Sequence, residues 1–259
     1  VDFVLSGDLL NQCMGSAFAL KDLEIPSIGL FGACSTMALS LSTGAMLVNS
    51  GASCVVCATS SHFCSSERQF RFPLEYGGQR PPTAQWTVTG AGSSVVSNEG
   101  RGTEIKAVQI GTITDLGITD ANNMGAAMAP AAARTISSFL NDTGSSPEDY
   151  NLILTGDLGY TGSQLLYELL EKEHNIKLKG FHKDCGTLIF DLKKQDVNSG
   201  GSGCGCSASV LSAFLLKQLS EKKWKRILFV PTGALLSKTS YNEGQSVPGI
   251  AHALLLEAI

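Results

Sequence analysis

Cys34 is the residue whose type and setting in this chain best suit covalent chemistry. It stands in Gly32-Ala33-Cys34-Ser35-Thr36-Met37, between a short apolar run and an amphipathic stretch, so a strand-to-helix turn is predicted there. A thiol at a helix N-terminus faces N–H groups with no intrahelical partner, which favour a thiolate or a bound anion beside Cys34 and Ser35. The same placement suits a small buried cysteine filling a tight turn. Spacing alone leaves both open.

A second candidate is Gly200-Gly-Ser-Gly-Cys-Gly-Cys206, also ahead of a helical stretch. Its backbone could cradle an anion beside Ser202, Cys204 and Cys206, but the dinucleotide context is missing, because no acidic residue ends a following strand. Glycines needed for the close packing of two related helices explain the run equally well. Cys54-Val-Val-Cys57 has redox or metal spacing, yet it lies in a predicted strand, where residues three apart face opposite sides of the sheet. Cys204 and Cys206 lack a partner pair, so no metal site is expected. His62 and His182 fall near strand ends, where sites of α/β proteins gather. His174 ends a polar helix, and His252 suits a core position in the last strand. Asn123, in Asn122-Asn123-Met124, is either a pocket wall or a helix cap backed by packing methionines. Arg68, Arg71 and Arg80, interleaved with aromatics, form the one concentrated basic patch.

These residues need elements to hold them. Short apolar runs at 1–5, 27–31, 53–59, 151–155 and 226–232 read as buried strands, and stretches with helical spacing lie at 34–49, 126–141, 162–174 and 206–222. Strands alternating with helices predict a parallel α/β sheet covered on both faces. Two alternating strands, 87–97 and 105–113, interrupt this order. An internal repeat is visible: Ser-Gly-Asp-Leu at 6–9 returns as Thr-Gly-Asp-Leu at 155–158, Cys34 has its counterpart in Cys206, and Thr59 in Thr232. Two duplicated halves related by a pseudo-twofold axis follow, with 1–103 and 104–259 as the expected domains. The second half carries a strand and a helix ahead of its Gly-Asp-Leu motif and the first does not, so the first half is expected to lack both.

Composition excludes several classes. With 259 residues, 43% hydrophobic and 16% charged, the chain is globular rather than disordered and long enough to fold without staples. Its 19 Lys and Arg against 23 Asp and Glu leave no basic stripe for nucleic acid. The eight cysteines sit mostly inside apolar runs, which predicts a reducing compartment, and neither a signal peptide nor a membrane span is predicted.

The turn around Cys34 and the duplication resemble the thiolase-fold superfamily. Phe31-Gly-Ala-Cys-Ser-Thr36, Ala58-Thr-Ser-Ser-His62, Glu67-Arg-Gln-Phe-Arg71, Glu75-Tyr-Gly-Gly78, Trp86-Thr-Val-Thr-Gly90, 123–133, Ile153-Leu-Thr-Gly-Asp-Leu-Gly159, 200–207 and Thr232-Gly-Ala-Leu-Leu-Ser237 are similar to the stage V sporulation protein AD family within it. The resemblance implies a thiolase-like α/β fold and binding of dipicolinic acid (pyridine-2,6-dicarboxylic acid). It also implies a part in moving that acid into the forespore and releasing it on germination. Implied partners are membrane subunits of the spore dipicolinate channel. The chain is then peripheral to the spore inner membrane, a homodimer is compatible with it, and no cofactor is expected.

Carried over residue by residue, Cys34 matches the nucleophile position of the superfamily. The condensing type of site also has a His after the second-half strand, where this chain has Asp157, and an Asn in the glycine-rich loop, where it has Ser202. An anion at 157 stands where a donor is required. Binding is therefore expected, with Cys34, Ser35, His62, Asn123, Asp157, His182, Ser202, Cys204 and Cys206 as ligand-contacting candidates. The alternative is an acyltransferase or thioester hydrolase with Cys34 as nucleophile and His62 or His182 as base.

Overall fold

The computed structural model describes residues 1–64, 78–100 and 102–259. In chain order these form β1 (Phe3–Gly7), α1 (Met14–Leu20), β2 (Ser27–Gly29), α2 (Thr36–Asn49), β3 (Cys54–Ser61), β4 (Trp86–Thr87), β5 (Gly90–Ser97) and β6 (Thr103–Gln109). There follow α3 (Met124–Thr143), β7 (Leu152–Thr155), α4 (Gly159–His174), β8 (His182–Asp184), α5 (Cys185–Leu188), β9 (Gly201–Ser202), α6 (Cys204–Val210), α7 (Leu216–Ser220), β10 (Arg226–Val230), β11 (Thr232–Ala234), β12 (Gly249–Ala251) and β13 (Ala253–Ala258).

The repeat read from the sequence becomes two sheets of matching order. The first runs β2-β1-β3-β5 and the second β6-β13-β10-β7-β8. In each, the Gly-Asp-Leu strand lies in parallel between two neighbours: β1 between β2 and β3, β7 between β8 and β10. Then an antiparallel strand follows, β5 beside β3 and β13 beside β10. The sheets are therefore mixed, not parallel throughout as the alternating strand and helix runs predicted. The exceptions are β5, which runs antiparallel to β3, and β13, which runs antiparallel to β10 and to β6. The second sheet carries β6 as a further strand beside β13.

Two apolar cores fix the layering. Leu152 and Leu154 face one core and Ile153 the other, as the two-residue period of a strand buried on both faces requires. The central core joins Leu5 and Val55 of the first sheet to Leu154 and Phe229 of the second through Met37 and Leu41 of α2 and Cys206 and Leu211 at α6. Each such side chain contributes about 1.5–3 kcal/mol by leaving water. The outer core packs the Ala-rich face of α3 and Leu166 and Leu170 of α4 on the second sheet. A Cβ on Gly125 would meet the Gly162 amide nitrogen at 2.8 Å, so this crossing of α3 and α4 needs glycine.

Two predicted elements change form. The strand expected over 87–97 divides, because Trp86 and Thr87 pair with Gly201 and Ser202 of the other half while Gly90–Ser97 joins the first sheet. The helix expected from 206 begins at Cys204 and passes through a π-helical turn at Leu211–Leu215 before α7.

Candidate functional site

The turn bearing Cys34 is held by its own side chains. Ala33 has φ 48, a left-handed conformation that costs a residue with a Cβ roughly 1–2 kcal/mol. Three bonds offset it: Ser35 Oγ donates to the Gly32 carbonyl at 2.6 Å, Thr36 Oγ1 to the Ala33 carbonyl at 2.6 Å, and Cys204 Sγ to that same Ala33 carbonyl at 3.1 Å. β11 lies across the turn so closely that a Cβ on Gly233 would stand 2.7 Å from the Gly32 carbonyl oxygen. Cys34 is buried, and its Sγ lies 4.0 Å from Ser202 Oγ.

Opposite stands Asp157, in the turn from β7 to α4. Its carboxylate accepts from Ser202 Oγ at 2.8 Å and the Gly203 amide at 3.2 Å on one oxygen, and from Thr232 Oγ1 at 2.9 Å on the other. The Cys34 thiol also hydrogen-bonds this carboxylate. Burial pushes the Asp157 carboxyl above its usual range, and these four donors pull the other way, led by Cys34. Gln85 completes the turn from behind, its Nε2 donating to the Asp157 carbonyl at 2.6 Å and the Gly201 carbonyl at 3.1 Å. Cys206 Sγ donates to the Gly156 carbonyl at 3.5 Å, so Cys204 and Cys206 each brace one of the two turns.

A second buried carboxylate supports the first. Asp184 Oδ2 accepts from Thr155 Oγ1 at 2.6 Å and the Leu158 amide at 2.9 Å, and Oδ1 from the amides of Gly159 at 2.9 Å and Gly186 at 3.0 Å. It thus satisfies orphan N–H groups at the start of α4, where the helix dipole favours an anion. Burial, reinforced by the Asp157 charge, pushes Asp184 up to about 7 against the pull of Thr155 and the amides. His182 Nε2 lies 2.8 Å from Thr155 Oγ1, and its Nδ1 lies 2.9 Å from the Tyr167 hydroxyl. Burial pushes His182 down to about 3.

The structure therefore brings Cys34, Ser35, Asp157, Ser202, Cys204 and Cys206 together across the junction of the two halves. His182 is one step removed, bonded to Thr155 and Tyr167. Asn123 caps α3, its side-chain oxygen accepting the Ala126 amide at 3.3 Å, while Met124 and Met128 pack in the core. His62 stands exposed just past β3, its Nδ1 accepting the Cys64 amide at 3.1 Å. His252 is a core histidine between β12 and β13, with Nδ1 accepting the Gly111 amide at 3.1 Å. Arg80 is stacked 4.5 Å from Trp86, which stacks in turn on Phe63 at 4.3 Å. Arg68 and Arg71 lie outside the described residues. The glycines at 203 and 205 admit Ser61 of the first sheet, whose Oγ accepts the Gly205 amide at 2.8 Å, and Gly205 also lies against the Gly90 carbonyl.

Sequence reasoning missed Thr155, Tyr167, Asp184, Thr232 and Gln85. Asp184 carried a signal, an Asp two residues before Gly186 at a strand end, which is the pattern of a helix cap. Gln85 carried none. None of the eight cysteines is disulfide-bonded, and among the described residues no three His, Cys, Asp or Glu side chains form a group that could hold a metal ion.

The family model of stage V sporulation protein AD matches residues 1–257. The chain belongs to the stage V sporulation protein AD family. A curated member, the stage V sporulation protein AD of Bacillus subtilis (strain 168), is 45% identical over 258 residues, covering 99% of this chain and 76% of that protein. Solved structures similar to this family member show the fold. One is a tetronic acid condensing enzyme with TM-score 0.61 and 17% identity over 100% of this chain and 79% of that one. Another is the 3-oxoacyl-[acyl-carrier-protein] synthase III of Aquifex aeolicus VF5, with TM-score 0.57 and 14% identity over 99% of this chain and 77% of that one. The fold is thus thiolase-like. No helix among the described residues is long and apolar enough to cross a membrane.

Proposed function

We propose that this protein binds dipicolinic acid at the junction where Cys34, Asp157 and Ser202 meet, and that it serves uptake of the acid into the forespore and its release during germination. The reading starts from family membership. One observation carries it from enzyme to binding protein: the Asp157 carboxylate, fully engaged by internal donors, occupies the place beside Cys34 where condensation requires a proton donor. Asp157 and Asp184 also engage amides that open the loop at 203 and α4, so the chain's own carboxylates take up N–H groups that an anionic ligand would use. A dicarboxylate at the junction would compete with Asp157 for the hydrogens of Cys34 and Ser202, which that carboxylate now accepts. Membrane subunits of the dipicolinate channel are the partners in this reading, and the protein sits at the spore inner membrane peripherally.

Titration calorimetry with dipicolinate tests it. A saturable heat that weakens in Cys34→Ala and Ser202→Ala is expected, and no saturable heat with the folded wild-type protein overturns it. Mass spectrometry after incubation with acyl-coenzyme A tests the opposing enzyme reading, for which an acyl adduct at Cys34 is the required result.

A further inference from the structure

Four buried or half-buried groups outside the junction form one directional chain. The Asp184 carboxylate can only accept while ionised, so Thr155 spends its single hydroxyl hydrogen on it at 2.6 Å. Thr155 Oγ1 must then accept from His182, which assigns the ring hydrogen to Nε2, 2.8 Å away. His182 Nδ1 is left to accept from the Tyr167 hydroxyl at 2.9 Å. With Asp184 ionised, every hydrogen has one place. The chain starts at half-buried Tyr167 on α4 and ends on the amides of Leu158 and Gly159, the two residues that follow Asp157. Gly159 has φ 65, a left-handed conformation open to glycine, and its amide is held there by Asp184 Oδ1 at 2.9 Å.

We propose that Tyr167, His182, Thr155 and Asp184 are a positioning relay that fixes the turn carrying Asp157 and so sets the reactivity of the Cys34 thiol and, on the binding reading above, the affinity for the ligand. A carboxylate that merely capped α4 would need no histidine and tyrosine behind it. The titratable groups whose charges or bonds reach Asp184 are Asp157, Cys185, Cys206, His182 and Tyr167.

The test is site-resolved alkylation of Cys34 by iodoacetamide, followed by mass spectrometry from pH 5.5 to 8.5 in the full chain. Tyr167→Phe removes one hydroxyl at the outer end and leaves packing intact. It is expected to change the Cys34 rate about fivefold or more, because small displacements at a site alter reactivity steeply. Asp184→Asn is expected to change the shape of the pH profile as well as the rate. Rates and profiles equal to wild type in folded Tyr167→Phe and His182→Gln overturn the relay, whether or not Asp184→Asn folds. Calorimetry with dipicolinate on the same preparations separates the two ideas: absent heat in the wild type removes the binding reading and leaves the alkylation result standing.

Discussion

Ser202 Oγ donates to Asp157 Oδ2 at 2.8 Å, tying the glycine-rich loop of the second half to the turn that faces Cys34. The bond joins a hydroxyl and a carboxylate that are both buried. Hydrogen bonds to a buried charge contribute about 1.5–3 kcal/mol, and Ser202→Ala is expected to lose that amount in urea unfolding. Asp157→Asn should lose a similar amount, because an amide NH2 cannot accept from the Ser202 hydroxyl and the Gly203 amide. A stability change below about 0.5 kcal/mol in both variants would contradict the geometry.

Gly233→Ala tests the contact between β11 and the Cys34 turn. The added methyl would meet the Gly32 carbonyl at 2.7 Å and the Ser35 nitrogen at 3.1 Å, both backbone atoms that cannot swing away. A loss of about 1–3 kcal/mol is expected, read from the denaturation midpoint, together with faster alkylation of Cys34.

His182 and Asp184 pull stability in opposite directions as pH changes. His182 stays neutral in the fold, lowered from 6.5 to about 3 by burial, so the unfolded chain takes up a proton that the folded one refuses. Its contribution is complete above about pH 6.5 and drains away as pH falls toward 3. Asp184 is raised from 3.8 to about 7, so its contribution is complete below about pH 3.8 and lost as pH rises through 7. The stability of wild type minus that of His182→Gln is expected to fall about 1.4 kcal/mol per pH unit below 6.5. Thermal or urea melts at several pH values read this directly, and a difference that grows on acidification would exclude a neutral buried His182.

Thiol labelling under native conditions should divide the cysteines by burial and ionisation. Cys64 is exposed and Cys54 partly so, and both are expected to react first. Cys57 is buried and pushed up to about 12, its thiol donating to the Ser40 carbonyl at 3.2 Å, and Cys185 and Cys206 are also pushed well up by burial. Modification of these three before global unfolding would contradict the packing.

Arg80 and Asp196 form an uneven ion pair, with 7% of the Arg80 side chain exposed and 90% of that of Asp196. Asp196→Asn is expected to change stability by less than about 0.5 kcal/mol, as exposed charges do. Arg80→Ala should cost about 1–3 kcal/mol through the lost stack on Trp86 and the lost bond to the Asp196 carbonyl at 2.7 Å. Equal effects of the two substitutions would show that the stack and the bond to the Asp196 carbonyl together contribute little.

The sequence by itself determined the duplication, an α/β fold and the positions of the two turns, because those rest on local patterns, and the resemblance to a family made the thiolase-like fold legible. In this chain an apolar run followed by Gly-Asp-Leu or Gly-Ala-Cys-Ser marks a strand passing into a helix. It also placed Cys34, Asp157 and Ser202 in one candidate set. Tertiary structure alone decided which partners each of them has. Thr232 reaches Asp157 across 75 positions and Gln85 across 72, separations over which no periodicity carries information. The antiparallel direction of β5 and β13 was likewise decided only by tertiary structure, since the residue pattern of a strand reads the same way in either orientation. His182 shows the limit most clearly: its place near a strand end was legible, but its bonds to Thr155 and Tyr167 arise only when β7, β8 and α4 pack together.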